Sequence, residues 1–302
     1  RAHRRYGTTG FLPTLITDSR ARMEQAIAAV DAAITASVPG VLGIHLEGPY
    51  INPDRKGIHN PAAIRPMEPD AVALLTSLQH GRTVVTLAPE SVPSDALRAL
   101  VAAGVIVCAG HTNADYAAIR EALDQGLRGF THLFNAMSQL VSREPGVVGA
   151  ALDDGDSFCG VIVDGWHVHP ASLRLALAAK SPAKLMLVTD AMQVTGSDLV
   201  EFELHGRRIL RSDGRCTAED GTLAGADLDM EAAVRNAVRL LDVRLEDALR
   251  MASTTPAAFL GLDDQLGRLA EGYRANLVLL DDQFAVRECW IDGRDMAQDG
   301  LR

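Results

Sequence analysis

Seven short apolar runs, near residues 8–15, 41–46, 83–88, 105–110, 129–133, 158–163 and 184–189, recur along this chain with segments of helical periodicity between them. The intervening segments include residues 21–36, 95–103, 114–125 and 171–179. Strands that are almost continuously apolar are buried on both faces, and regular strand–helix alternation favours a parallel sheet. The pattern predicts an α/β fold of the (β/α)8 TIM-barrel type. A closed barrel of this kind needs eight strands and seven are found, so one strand is expected to be missing.

Beyond residue 190 the pattern changes. Residues 200–206, 208–210 and 215–217 alternate apolar and polar side chains around Gly and Asp, which predicts an antiparallel β-hairpin insertion near 200–220. Helical periodicity returns over 229–241, 245–252 and 255–260, followed by two strands at 275–281 and 286–291. A boundary near Gly261 divides a barrel at 1–261 from a C-terminal β segment at 262–302.

At 302 residues the chain can hold one barrel of about 250 residues plus a small appendage. Its core must be built of Ala, Val and Leu, because the chain is 47% hydrophobic but only 4% aromatic. No run approaches the roughly 18 apolar residues of a membrane span. A net charge of −10 disfavours nucleic acid and anionic membranes as partners. Cys108, Cys159, Cys216 and Cys289 form no C-x-x-C pair, which predicts buried free thiols and a cytoplasmic protein. The opening Arg1-Ala2-His3-Arg4-Arg5 lacks the apolar stretch of a signal peptide and resembles the last turn of a helix.

Four of the seven runs close on residues able to do chemistry: Glu47, His111, His132 and Asp190. Parallel barrel strands present such residues at one end, where barrel enzymes build their sites. One carboxylate and two imidazoles form a catalytic zinc set with a position left open for water, and Asp190 remains as a proton carrier. Taken singly, each has a plainer reading: a turn residue before Gly48-Pro49, or a helix-capping histidine. Recurrence at several strand ends favours the metal set. His59 lies in a long loop and is either a solvated residue or a donor to a substrate carbonyl. Arg143 is a surface charge by default, or a grip for an anion. His167 follows another strand at the same rim. His169 precedes Pro170 at a helix start and is weak as a ligand, while His45 shares a strand face with Glu47. His3, His80 and His205 are expected to face solvent. Gly221-Thr222-Leu223-Ala224-Gly225 fits no phosphate-loop spacing and reads as a flexible segment covering substrate.

Several stretches carry a specific resemblance. They are Leu46-Glu47-Gly48-Pro49-Tyr50, Lys56-Gly57-Ile58-His59-Asn60-Pro61, Leu87-Ala88-Pro89-Glu90, Ala109-Gly110-His111-Thr112-Asn113-Ala114, Thr131-His132-Leu133-Phe134-Asn135-Ala136-Met137, Arg143-Glu144-Pro145-Gly146, Asp164-Gly165-Trp166-His167 and Val188-Thr189-Asp190-Ala191. In this order they resemble the N-acetylglucosamine-6-phosphate deacetylase family of the amidohydrolase superfamily. The resemblance implies metal ligation by Glu47, His111 and His132, catalysis by Asp190 and His59, and one divalent ion per subunit, with zinc the expected ion. It implies that Ile58 and His59 border the acetamide, and that Asn135, Ala136 and Arg143 hold the sugar phosphate, the first two partly through backbone N–H groups. His167 would contact the sugar, with Leu223, Ala224 and Gly225 bordering the acetyl and sugar site.

A homodimer follows from the same resemblance, since the family's phosphate-gripping Arg reaches a neighbouring subunit. The family also begins with strands of a small β-sandwich followed by the first barrel strand. The resemblance thus implies that the first strand is the one missing from this chain and that residues 262–302 are the sandwich's C-terminal remnant. The implied activity is hydrolysis of the acetamide of N-acetylglucosamine 6-phosphate. Rival expectations are a deacetylase of the galactosamine epimer, another cyclic-amide amidohydrolase, or a non-catalytic sugar-phosphate-binding fragment.

Overall fold

A computed structural model describes residues 1–296. The chain divides into two compact units, Gly10–Cys159 and the remainder, Arg1–Thr9 with Gly160 onward.

In the unit Gly10–Cys159, strands β1 (Thr14–Ile16), β2 (Gly43–Glu47), β3 (Arg82–Leu87), β4 (Ile106–Ala109) and β5 (Gly129–Phe130) lie side by side in chain order, all parallel. Between them run α1 (Arg20–Thr35), α2 (Ala71–Leu75), α3 (Ser94–Ala102) and α4 (Tyr116–Asp124), with α5 (Gly146–Asp153) after β5. Helix starts follow local chemistry. The Ser19 hydroxyl accepts from Arg22 N–H at 3.3 Å, and the Asp115 carboxylate accepts from Ala118 N–H at 2.8 Å, each satisfying a donor the first helical turn leaves unpaired. Helix α1 buries Met23, Ile27 and Val30, one stripe of its surface. The strands bury Leu46, Val85, Val107 and Phe130 completely.

Strand β6 (Phe158–Val161) starts in this unit, pairing with β5, and ends in the other. There Val188 N–H donates to its Val161 carbonyl just past β7 (Leu185–Leu187), and α6 (Pro170–Ala179) joins the two strands. Sheet order is thus chain order from β1 to β7, and among the described residues no eighth strand joins it. The same unit holds an antiparallel sheet of β8 (Glu201–Leu204), β9 (Arg207–Ser212), β10 (Arg215–Ala218) and β11 (Leu223–Ala226). Helices α7 (Met230–Leu241), α8 (Leu245–Ala252) and α9 (Thr254–Leu260) follow, then the pair β12 (Leu277–Leu280) and β13 (Val286–Trp290). Residues 3–6 form a 3-10 turn whose buried Arg4 donates to the carbonyls of Cys289 and Arg294 at 3.2 and 2.5 Å.

Several expectations change. The hairpin expected near 200–220 is a four-stranded sheet, because Leu223–Ala226 extends and pairs with β10 rather than forming a flexible segment. Helix α5 is absent from the sequence reading: its Gly-Val-Val-Gly-Ala-Ala core is apolar all round and shows no amphipathic period. His3 is half-buried, whereas His80 and His205 are exposed as expected. The C-terminal segment expected at 262–302 ends with residues 297–302, which lie outside the described residues.

Candidate metal centre and proton-carrying cluster

Within Gly10–Cys159 the sheet brings three donors together. Glu47 is the last residue of β2, and His111 and His132 stand two residues beyond β4 and β5. His111 Nε2 lies 3.1 Å and His132 Nε2 3.0 Å from Glu47 Oε1, and the two imidazole nitrogens are 3.0 Å apart. All three side chains are buried. Burial opposes ionisation of Glu47, but hydrogen bonds and charge from His111 and His132 outweigh it and hold the carboxyl well below the usual carboxylate range.

The partners of His111 test whether this set fits a cation. Its Nδ1 lies 2.8 Å from the Arg55 carbonyl, which can only accept, so Nδ1 carries the hydrogen. In the neutral ring Nε2 then presents a lone pair toward a carboxylate oxygen, and two acceptors 3.1 Å apart call for a positive charge between them. A backbone carbonyl behind a ligating imidazole is the usual support of a metal-bound histidine. The donor set therefore fits a divalent ion.

His59 is buried beside it, its ring 4.2 Å from that of His111. Thr17 faces His59 Nδ1 with its hydroxyl at 2.7 Å and its backbone N–H at 3.4 Å. The amide can only donate, so Nδ1 accepts and Nε2 carries the hydrogen, the tautomer suited to donate to a carbonyl oxygen. Ile58 is buried next to it. His45 reaches Thr14 Oγ1 at 3.1 Å and Thr86 Oγ1 at 2.7 Å, bridging three strands on the face it shares with Glu47. Glu90 accepts from the Thr112 hydroxyl at 2.5 Å and from Asn113 N–H at 2.6 Å, fixing the loop that begins at His111.

After His132 the chain turns tightly. Asn135 N–H donates to the His132 carbonyl at 2.9 Å, so that donor is already engaged, while Ala136 N–H finds no acceptor among the described residues. Arg143 is exposed, and among the described residues its guanidinium has no hydrogen-bond or ion-pair partner.

In the other unit Asp164, His167 and Asp190 form a second cluster. His167 Nδ1 lies 2.5 Å from Asp164 Oδ2, and its Nε2 lies 3.4 Å from Asp190 Oδ2. Burial alone would lower the imidazole's pKa, but the bonds to Asp164 and Asp190, with their charges, push it up to about 9. Burial likewise opposes ionisation of Asp164, and the hydrogen bond from His167 overrides it and lowers that pKa. His169 caps α6, its Nδ1 accepting from Ala171 N–H at 3.1 Å, which is the capping role rather than ligation. Leu223, Ala224 and Gly225 belong to β11.

His111, His132 and Asp190 share a backbone feature invisible in the sequence. Their φ angles are 49°, 36° and 49°, the left-handed region, and Ala136 at 50° joins them. Non-glycine residues there are uncommon and cluster at functional sites.

Parallel strands that end on one carboxylate and two imidazoles define a candidate metal centre of the barrel hydrolases. The Amidohydrolase family model matches residues 1–296, and the chain belongs to that family. It is 45% identical over 298 residues to an N-acetylgalactosamine-6-phosphate deacetylase of Shewanella sp. (strain ANA-3), covering 99% of this chain and 75% of the relative. It is 36% identical over 291 residues to an N-acetylglucosamine-6-phosphate deacetylase of Haemophilus influenzae, covering 95% and 76%. The crystal structure of N-acetylglucosamine-6-phosphate deacetylase from Pasteurella multocida superposes with a TM-score of 0.94 at 36% identity, covering 97% of this chain and 77% of that one. The fold is thus of the TIM-barrel type.

Proposed function

We propose that this chain hydrolyses the acetamide of N-acetylglucosamine 6-phosphate, giving glucosamine 6-phosphate and acetate. The observation that carries this reading is the convergence of Glu47, His111 and His132 on one point, with the His111 tautomer set for ligation. These three hold one divalent ion per subunit, zinc in our reading. When bound, such an ion supplies Lewis acidity and lowers the pKa of a coordinated water to about 7.

The residues do the rest. His59 Nε2–H donates to the amide carbonyl oxygen as it gains negative charge. Asp190 takes the proton of the attacking water and delivers it to the sugar nitrogen, because an unprotonated amide nitrogen is a poor leaving group. The C–N bond breaks as the new C–O bond completes the acetate. Arg143 and the Ala136 N–H, assisted by Asn135, hold the phosphate, a role supported by the lack of partners for the Arg143 guanidinium and the Ala136 N–H among the described residues. Ile58, His167, Leu223, Ala224 and Gly225 border the acetamide and the sugar.

The working form is a cytoplasmic homodimer in which Arg143 serves the neighbouring subunit. The four cysteines, all buried and forming no disulfide among the described residues, support a reducing compartment. No helix among the described residues is long and apolar enough to cross a membrane. Residues 1–261 are read as the barrel and 262–302 as part of a small sandwich.

A second reading, action on the galactosamine epimer, is favoured by the 45% identity to the Shewanella relative. Acetate release from both 6-phosphates by the purified, metal-loaded protein decides between them. A higher kcat/KM for the gluco epimer supports the first reading, and a higher value for the galacto epimer supports the second. Binding of either sugar without turnover would refute both and leave a non-catalytic fragment.

A further inference from the structure

Asp164 carries no role in the reading above, yet it is among the most completely bonded carboxylates of its unit. Its Oδ1 accepts from the backbone N–H groups of Trp166 and His167 at 2.8 and 2.9 Å, which fixes the carboxylate within its own turn. Its Oδ2 faces His167 Nδ1 at 2.5 Å. On the opposite edge of the imidazole, Asp190 Oδ2 faces Nε2 at 3.4 Å. Carboxylates accept only, so an imidazole between two of them is satisfied only when both nitrogens carry hydrogen.

The surroundings hold both ends of this arrangement. The Trp166 indole N–H donates to the Asp213 carbonyl at 2.7 Å, and Arg215 lies over its ring at 3.9 Å. The turn bearing Asp164 and His167 is thereby tied to the β9–β10 turn. The Asp190 carbonyl in turn accepts from Ala226 N–H of β11 at 2.9 Å, and Ala226 pairs with Arg215 of β10. One antiparallel sheet thus braces the imidazole's turn and the strand end that bears Asp190.

We infer that Asp164 is a positioning residue: it holds His167 as an imidazolium whose Nε2–H pins one carboxylate oxygen of Asp190, leaving Oδ1 of Asp190 to carry the proton. This rests on the reading of Asp190 as the proton carrier. The charged groups facing the imidazole are Asp164 and Asp190, and Cys216 of β10 also interacts with Asp190. With Asp164 present, the clamp opens only as pH rises through about 9, where His167 deprotonates. Asparagine at position 164 keeps an oxygen for the two backbone N–H groups, but offers an amide donor to Nδ1. His167 is then neutral across the working pH range, its remaining hydrogen on Nε2.

The test is Asp164→Asn in the full, metal-loaded chain, with two readouts. The first is the His167 imidazole titration followed by nitrogen NMR. The second is the pH profile of kcat/KM on the 6-phosphate sugars. The expected result is a His167 midpoint that falls from about 9 by more than about one pH unit, with the alkaline limb of the profile lost, because the neutral ring keeps its Nε2–H on Asp190. A folded Asp164→Asn protein whose His167 still titrates near 9 overturns the proposal, as does an alkaline limb that stays in place. Should that variant not fold, His167→Gln decides: it keeps an amide donor for Asp190 without a titrating group. Loss of the limb supports the clamp, and its retention overturns it. If the wild-type chain deacetylates neither sugar, the functional reading fails and the NMR titration alone decides on the clamp.

Discussion

Alanine at position 43 should damage both the sheet and the metal centre. Gly43 opens β2, the strand that ends on Glu47, and pairs with Arg82 of β3. A Cβ added there falls 1.9 Å from the Arg82 carbonyl oxygen and 2.6 Å from its nitrogen. Cβ atoms essentially never approach other atoms within 3.0 Å, so the two strands must part locally by about 1 Å. The Arg82 N–H bond to the Leu42 carbonyl, now 3.0 Å, then stretches out of hydrogen-bonding range. Losing one such bond costs about 1 kcal/mol and forcing packed backbone apart about 1–3 kcal/mol more, so Gly43→Ala should destabilise the chain by about 2–4 kcal/mol. Urea unfolding followed by circular dichroism measures this directly, since both tryptophans lie outside this unit. Because Glu47 ends the same strand, metal retained after dialysis against a weak chelator should fall as well. A change below about 0.5 kcal/mol with full metal retention would refute the argument that close strand approach requires glycine here.

Three further outcomes are expected. Asp190→Asn should lower turnover by about 10²-fold or more while leaving metal content unchanged, as checked by steady-state kinetics and elemental analysis. Arg143→Ala should weaken binding of the phosphorylated sugar by about 10- to 100-fold and leave the unphosphorylated sugar unaffected, a difference calorimetry resolves. Stability should also depend on alkaline pH through His167, whose pKa rises on folding from 6.5 to about 9. The raised value means its contribution, about 3 kcal/mol, is fully present below the unfolded pKa and is lost as pH rises through the folded one. Denaturation midpoints measured between these two values should fall in wild type and stay flatter in His167→Gln.

The strands and most helices were legible in the sequence because their signals are local. An apolar run flanked by helical periods needs no distant partner to be recognised, and six of the seven parallel strands lie where the runs place them, while β1 starts only at the end of its run, at Thr14. The donor set was legible for a related reason: Glu47, His111 and His132 each follow such a run. What escaped was set by contacts distant in sequence. Nothing near His111 announces that the Arg55 carbonyl will fix its tautomer, and nothing near His59 announces Thr17. Helix α5 is buried on every side and so has no polar face to betray its period. The pairing of Leu223–Ala226 with β10 depends on strand register, which a glycine-rich segment does not advertise. Asn135 N–H was offered to the phosphate in the sequence reading, yet the turn after His132 engages it. Asp164 stood in a quoted motif without a role, because its effect passes through His167.

The left-handed φ angles of His111, His132 and Asp190 bear on how such a chain can change over time. A residue with a Cβ is held in that region at a cost of roughly 1 kcal/mol or more, and glycine is not. At each of these positions, substitution by glycine would relax the backbone while deleting the chemistry. Backbone strain alone therefore favours losing the two imidazoles and the carboxylate, a bias that the burial of His111 and His132 and the contacts of all three must oppose. This chain retains all three, against the conformational gradient, at the strand ends where a hydrolase needs them.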